Sequence, residues 1–296
     1  MECPCSTTPR RHSGGRRRKV LDWRRSLVVG SGWRVPEGDT VYLAAKRLHA
    51  CLAGQRIDGS DFRLPTLANL DLTGVGVREI RPYGKHLLFR FDDNRTLHTH
   101  FRMDGSWHIY RQGQPWSGGP MHSVRVIVSS RIYTCVGYRL HDVTMLQTAD
   151  EHLVIGHLGP DILDDDFDEG LALENIRSQG NRAIGDVLVD QRVLAGIGNI
   201  YRCESLFLTG IAPATPASSL GRDRCATLVT VARTLMMRNR DRASQSTTGD
   251  EQRAHFVYGR ARQTCRRCHE TIATMTAETR PNAQTIFWCP GCQSDS

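Results

Sequence analysis

The first sustained pattern of apolar and polar positions begins at Pro36. Proline and the acids Glu37 and Asp39 open the segment, apolar side chains recur at Val41, Ala44, Ala45, Leu48, Cys51 and Leu52, and Gly54 follows. This is the 3.6-residue period of an amphipathic helix, with proline and acids in its first turn and glycine as its stop. From Ile80 to Thr148 the chain breaks into shorter runs, Leu87–Phe91, Thr96–His100, Val124–Val128 and Ile132–Val136, separated by the turn signals Asp92-Asp93-Asn94 and Gly118-Gly119-Pro120. These runs predict the antiparallel strands of a β-sandwich with the helix packed beside it. The acidic stretch 150–170, with Asp164-Asp165-Asp166 inside it, reads as a linker. Beyond it, 183–210 predicts helix in two pieces, relaxed by Gly196 and Gly198, with Asn199 opening the second.

Length and composition narrow the class. With 296 residues the chain holds about two domains, and 39% hydrophobic with 24% charged residues describes a globular protein. Purely apolar runs such as Val126-Ile127-Val128 fall far short of the ~20 residues of a membrane span. The net charge of +8 divides unevenly: residues 1–34 carry +7 and the remainder +1. Any nucleic-acid reading of the body must therefore rest on where its charges sit. The Arg-rich head lacks a signal-peptide core and reads as a nucleic-acid-binding arm, an organelle-targeting segment or a disordered tail. Cys51, Cys135, Cys203 and Cys225 are scattered, as small buried hydrophobes are in a reducing compartment, and the expected location is the cytoplasm.

The remaining chemistry sits near the end of the chain. Cys265-Arg266-Arg267-Cys268 and Cys289-Pro290-Gly291-Cys292 are twenty residues apart, the spacing of a four-cysteine zinc ribbon. Four thiolates on two tight knuckles leave no open coordination position, so one structural zinc ion is expected; a redox disulfide pair is the alternative. Arg266, Arg267 and Arg280 supply local positive charge for phosphate.

Pro36-Glu37-Gly38, Gly84-Lys85-His86, Gly196-Ile197-Gly198-Asn199 and the terminal four cysteines occur in the order found in the formamidopyrimidine-DNA glycosylase and endonuclease VIII family. The chain resembles that family over 36–296, and Pro36-Glu37-Gly38-Asp39-Thr40-Val41 resembles its actinobacterial endonuclease VIII branch, the second paralogue. The resemblance implies an α+β multidomain fold. An Arg-rich extension at 1–35 precedes a catalytic sandwich at 36–150, a hinge at 151–170, a helix-two-turns-helix DNA-binding domain at 171–255 and a zinc finger at 256–296. It also implies a bifunctional glycosylase and apurinic/apyrimidinic lyase of base excision repair, removing oxidised bases, chiefly pyrimidines, and cleaving the strand by β-elimination. Its partner is damaged DNA, duplex or single-stranded; the protein is a monomer, free of membranes and associated with the nucleoid.

The implied roles attach to particular residues. Pro36 is the nucleophile, through a free secondary amine that an amide nitrogen cannot replace. Val35 stands where relatives have methionine, so the expectation is a valine-type start codon, with residues 1–34 a gene-boundary artefact. Glu37 is the acid/base, and Lys85 contacts DNA and moves protons; without the resemblance, Lys85 reads as a solvated lysine at a strand start. Met103 fills the gap left by an extruded base and Arg102 contacts the orphaned strand. His157 and Asn199 touch phosphate, the latter at a helix N-terminus with free N–H groups. Alone, these would read as a core methionine, an exposed arginine, a loop histidine and a helix cap. Gln284 departs from the family, whose arginine five residues before the third cysteine clamps phosphate, and Arg280 lies in a different register. Thr40 stands where many relatives carry a second glutamate. These departures bear on a second, δ-elimination step. Competing readings are an oxidised-purine glycosylase, a lesion-binding protein without catalysis and a zinc-ribbon DNA-binding regulator.

Overall fold

The computed structural model describes residues 27–29, 36–276 and 284–294. Val35 and Arg280 lie outside them. In chain order the elements are β1 (Leu27–Val29), α1 (Gly38–Leu52), β2 (Gly59–Phe62), β3 (Val77–Tyr83), β4 (His86–Phe91), β5 (Arg95–His100), β6 (Ser106–Arg111), β7 (Val124–Ser129), β8 (Tyr133–Tyr138) and β9 (Asp142–Gln147). They continue with α2 (His152–Ile155), α3 (Glu169–Arg177), α4 (Ile184–Val187), α5 (Asn199–Thr209), α6 (Arg222–Asn239), β10 (Ala273–Thr276) and β11 (Thr285–Trp288).

The first half is an antiparallel β-sandwich. One sheet runs β1-β6-β8-β7-β2, the other β3-β4-β5-β9. Each apolar position predicted for the first helix is buried on α1, which packs on β3 and closes the core around Phe89, Phe91 and Trp107. Each buried Val, Leu or Phe side chain among these contributes about 1.5–3 kcal/mol by leaving water. Within the Arg-rich extension, Leu27–Val29 is a strand paired with β6. Residues 59–62, 77–83, 106–111 and 142–147 add strands that apolar runs alone do not single out.

The second half is helical, with its own core between α3, α5 and α6. Here the structure departs from the two-piece helix expected over 183–210. Only Ile184–Val187 and Asn199–Thr209 are helical, and two tight turns join them. Asp190 sets the first turn: its backbone carbonyl accepts from the Val193 and Leu194 N–H groups, while its carboxylate takes the Arg182 and Arg192 guanidinium groups. Gly196 then needs a φ of +103°, a conformation that costs glycine little. The β10–β11 hairpin and the cysteine knuckles form a third, small core against Cys203 and Phe207 of α5. None of the helices among the described residues is long and apolar enough to cross a membrane.

Candidate active site and nucleic-acid interface

The sandwich meets the helical half at the start of α1. Pro36 and Glu37 are buried there. The Glu37 carboxylate reaches the start of α5, where it accepts N–H groups from Gly198 at 2.9 Å, Ile200 at 2.7 Å and Tyr201 at 3.5 Å. A helix N-terminus offers unpaired donors and a positive dipole end, so it is a natural seat for a carboxylate. The expectation that Asn199 opens this helix with N–H groups free for phosphate is therefore altered. Gly198 is the capping position, Asn199 is the first helical residue, and Glu37 fills the anion seat. Gly198 is required by this approach, because a Cβ there would lie 2.4 Å from the Glu37 carboxyl carbon.

Lys85 does not begin a strand. It occupies the two-residue turn between β3 and β4, where Tyr83 pairs with His86 and Gly84 takes a φ of +55°, matching the glycine preference at the first position of such turns. Asp161 pins this turn, with one carboxylate oxygen accepting from the Gly84 N–H at 2.8 Å and the other from the Leu163 N–H at 3.0 Å. The Tyr83 hydroxyl donates to the Gly159 carbonyl. Gly159 and Asp161 thus hold the Lys85 turn against the two turns before α5.

Electrostatics bind Glu37 and Lys85 into one unit. Burial pushes the Glu37 carboxyl up to about 7, against the pull of Lys85; the nearby Asp39 raises it further. Burial lowers Lys85, while Glu37 raises it and Arg202 lowers it. A carboxyl raised to about 7 can give or take a proton near neutral pH.

The other expected residues divide between rim and interior. The β5–β6 loop, 101–105, carries Arg102 and Met103 into solvent, with Met103 57% exposed, while Phe101 anchors its base in the core. Arg102 has a φ of +53° and pairs with Asp142 at 2.5 Å. His157 is exposed. Asn199 is buried: its amide nitrogen donates to the Thr285 carbonyl and its oxygen accepts from Arg202. Gln284 is half-buried, with its carbonyl accepting from Arg202 at 3.3 Å. In this arrangement Asn199 and Arg202 tie α5 to the β10–β11 hairpin.

Arg202 is the functional-site neighbour that periodicity misses. It is 2% exposed, its nearest carboxylate, Asp186, is 4.0 Å away, and burial lowers it. A lone Arg–Glu contrast within the apolar run Ile200–Leu208 is the signal that marks it. A second such group is His86, His98 and His100, on facing positions of β4 and β5. His86 Nδ1 lies 2.8 Å from His98 Nε2, and burial holds His98 and His100 down to about 4. The alternation His98-Thr99-His100 beside His86 is its trace in the sequence.

The four cysteines Cys265, Cys268, Cys289 and Cys292 converge, with all four sulfurs within 4.8 Å of one another. Cross-knuckle separations of 3.9 Å for Cys265–Cys292 and 3.3 Å for Cys268–Cys289 bracket the about 3.8 Å edge of a tetrahedral zinc–thiolate site. This group can hold a metal ion.

Two family models match this chain: the formamidopyrimidine-DNA glycosylase N-terminal domain over residues 35–151, and the H2TH domain of the same enzymes over residues 158–250. The chain belongs to the formamidopyrimidine-DNA glycosylase family. Among its relatives are a probable endonuclease 8 2 of Streptomyces coelicolor, 48% identical over 88% of this chain and 94% of the relative. The endonuclease 8 2 of Mycobacterium tuberculosis is 40% identical, and the DNA-(apurinic or apyrimidinic site) lyase Nei2 of Mycolicibacterium smegmatis 35%, each over 88% of this chain and the whole relative. Lactococcus lactis Fpg, solved in complex with DNA containing an abasic site, shares the fold with a TM-score of 0.74 at 23% identity, covering 88% of this chain and all of that one. Within the glycosylase family fold, the β-sandwich, the helix-two-turns-helix and the four-cysteine ribbon are the three parts described above.

Proposed function

We propose that the protein is a bifunctional DNA glycosylase and apurinic/apyrimidinic lyase of base excision repair, acting on oxidised pyrimidines and abasic sites in the bacterial cytoplasm. The observation that carries this reading is the buried Glu37 carboxyl next to Pro36 in the chain, raised towards neutrality and electrostatically coupled to the half-buried Lys85, at the seam of the two halves. Relatives named endonuclease 8 and abasic-site lyase support it.

In the proposed reaction the free amine of Pro36 attacks C1′ of the lesion sugar. The bond to the damaged base breaks, and the base departs with its electron pair and a proton. Glu37, poised near neutrality, donates a proton to the ring oxygen as the sugar opens and a Schiff base forms between Pro36 and C1′. Lys85 assists by moving protons at the same centre. Loss of a C2′ proton then expels the 3′ phosphate, and water releases the enzyme. Met103 occupies the space of the extruded nucleotide and Arg102 contacts the orphaned strand. His157 and Asn199 serve the phosphate backbone, Asn199 in the present geometry through the α5–hairpin junction; Gln284, without a guanidinium, favours stopping after β-elimination. Cys265, Cys268, Cys289 and Cys292 hold one structural zinc ion, which fixes the β10–β11 hairpin and supplies no step of the reaction.

The chemistry requires that Pro36 be unacylated, so the active form begins at Pro36. Borohydride trapping on DNA with an abasic site or an oxidised pyrimidine tests this. A covalent adduct is expected with a chain starting at Pro36 and none with the 296-residue chain. Binding of damaged DNA without trapping by either would instead establish a lesion-binding protein.

A further inference from the structure

Two residues beyond Glu37, α1 buries a second carboxylate. Asp39 is 2% exposed. Its Oδ2 accepts from the Tyr201 hydroxyl at 2.5 Å, and the Gln245 amide nitrogen donates to both carboxylate oxygens, at 2.8 and 3.0 Å. The Thr40 N–H adds a bond at 2.8 Å. Gln245 directs its donor at Asp39 at the expense of its own Oε1, which is buried without a partner. Leaving a buried acceptor unpaired is costly, so the contact is one that an anion at Asp39 rewards.

Tyr201 joins this group to the catalytic acid. Its side chain binds Asp39, and its backbone N–H donates to Glu37 Oε2. We propose that Asp39 is a positioning residue of the active site: it locks Tyr201, and with it the first turn of α5, onto Glu37, and sets a second buried carboxyl group two residues from the catalytic acid. The inference rests on the glycosylase reading of Glu37 and deepens it.

The groups facing Glu37 come from every packed element. Asp39 lies on α1, Lys85 in the β3–β4 turn, Tyr201, Arg202 and Cys203 on α5, and Tyr258 before the cysteine knuckles. Asp39 is the acid among these groups whose charge raises Glu37. Asp39 itself is raised by burial, and its bonds from Tyr201 and Gln245 oppose that shift, favouring the anion. Removing the Tyr201 hydroxyl should therefore neutralise part of the Asp39 charge and act in the same direction as removing the charge outright.

The test is a carboxyl NMR titration of Glu37 in the full chain, wild type against Asp39→Asn and Tyr201→Phe. It is paired with base-release rates against pH for the same variants beginning at Pro36. Asp39→Asn is expected to lower the Glu37 midpoint by on the order of one pH unit and to move the alkaline fall in rate with it; Tyr201→Phe is expected to give a smaller shift of the same sign. A Glu37 midpoint that stays in place in both variants overturns the proposal. Should Asp39→Asn fail to fold, as judged by thermal unfolding, Tyr201→Phe decides alone. Failure of the glycosylase reading is distinguishable, because it leaves wild-type trapping absent whatever the titration shows.

Discussion

Glu37 closes the N-terminus of α5 and, in the proposed reaction, is also the proton donor beside Pro36. Its carboxyl is raised by burial to about 7, so the proton it needs as an acid is present at lower pH and is lost as pH rises through that value. Base release is expected to fall on the alkaline side of about pH 7. Glu37→Gln should slow it by about 10²–10⁴-fold and abolish that alkaline fall, as single-turnover rates across pH would show. Met103 makes a different prediction. As a proposed wedge, its exposed side chain acts only where an extruded base leaves a gap in a duplex, so Met103→Ala should slow excision from duplex DNA by about tenfold or more and leave single-stranded substrate nearly unaffected. Equal losses on both substrates would argue against a wedge.

At the level of elements, α1 was legible because its burial repeats with the helical period, and β4, β5, β7 and β8 because apolar residues cluster between strong turn signals. Other strands hide for physical reasons. β2 is the four-residue Gly59–Phe62 at a sheet edge, and β3 exposes Arg78 and Arg81 on one face, so neither presents an apolar run. Residues 188–198 look helical in composition, but Asp190 and the positive φ of Gly196 turn the backbone. The Asp190 carboxylate, paired with Arg182 and Arg192, is held well below its ordinary value of 3.8, with burial opposing the pull of its hydrogen bonds. A depressed carboxyl stabilises the fold above its unfolded value, and that contribution is lost as pH falls from there towards the folded value. Asp190→Asn is expected to cost about 1–3 kcal/mol at pH 7, seen as a lower Tm, with the gap from wild type narrowing below about pH 4. The candidate site can be named from the sequence as a set of residue types, Glu37 and Lys85 among them. Its contacts cannot, since the partners Asp161, Tyr201 and Gln245 lie 77 to 206 residues from the groups they hold.

Across the whole molecule, the four-cysteine ribbon is tied to α5, because Thr285 and Gln284 meet Asn199 and Arg202, and on the proposed reading this tie carries it into DNA binding. Cys292→Ser is expected to remove one equivalent of zinc and to weaken binding to abasic-site DNA by more than about tenfold, or about 1.4 kcal/mol. Metal analysis with a binding isotherm would check both. The sandwich, with its separate core, should keep its β-sheet circular dichroism; loss of that signal would show that the ribbon supports the entire fold.

The clasp of Gln245 and Tyr201 on Asp39 has a consequence for synthesis. The residues that begin the site leave the ribosome first, and those that complete it leave about two hundred residues later. On the proposed reading, a nascent chain carries Pro36 and Glu37 long before it can aim them, and competence to cut DNA arrives only with a nearly finished polypeptide.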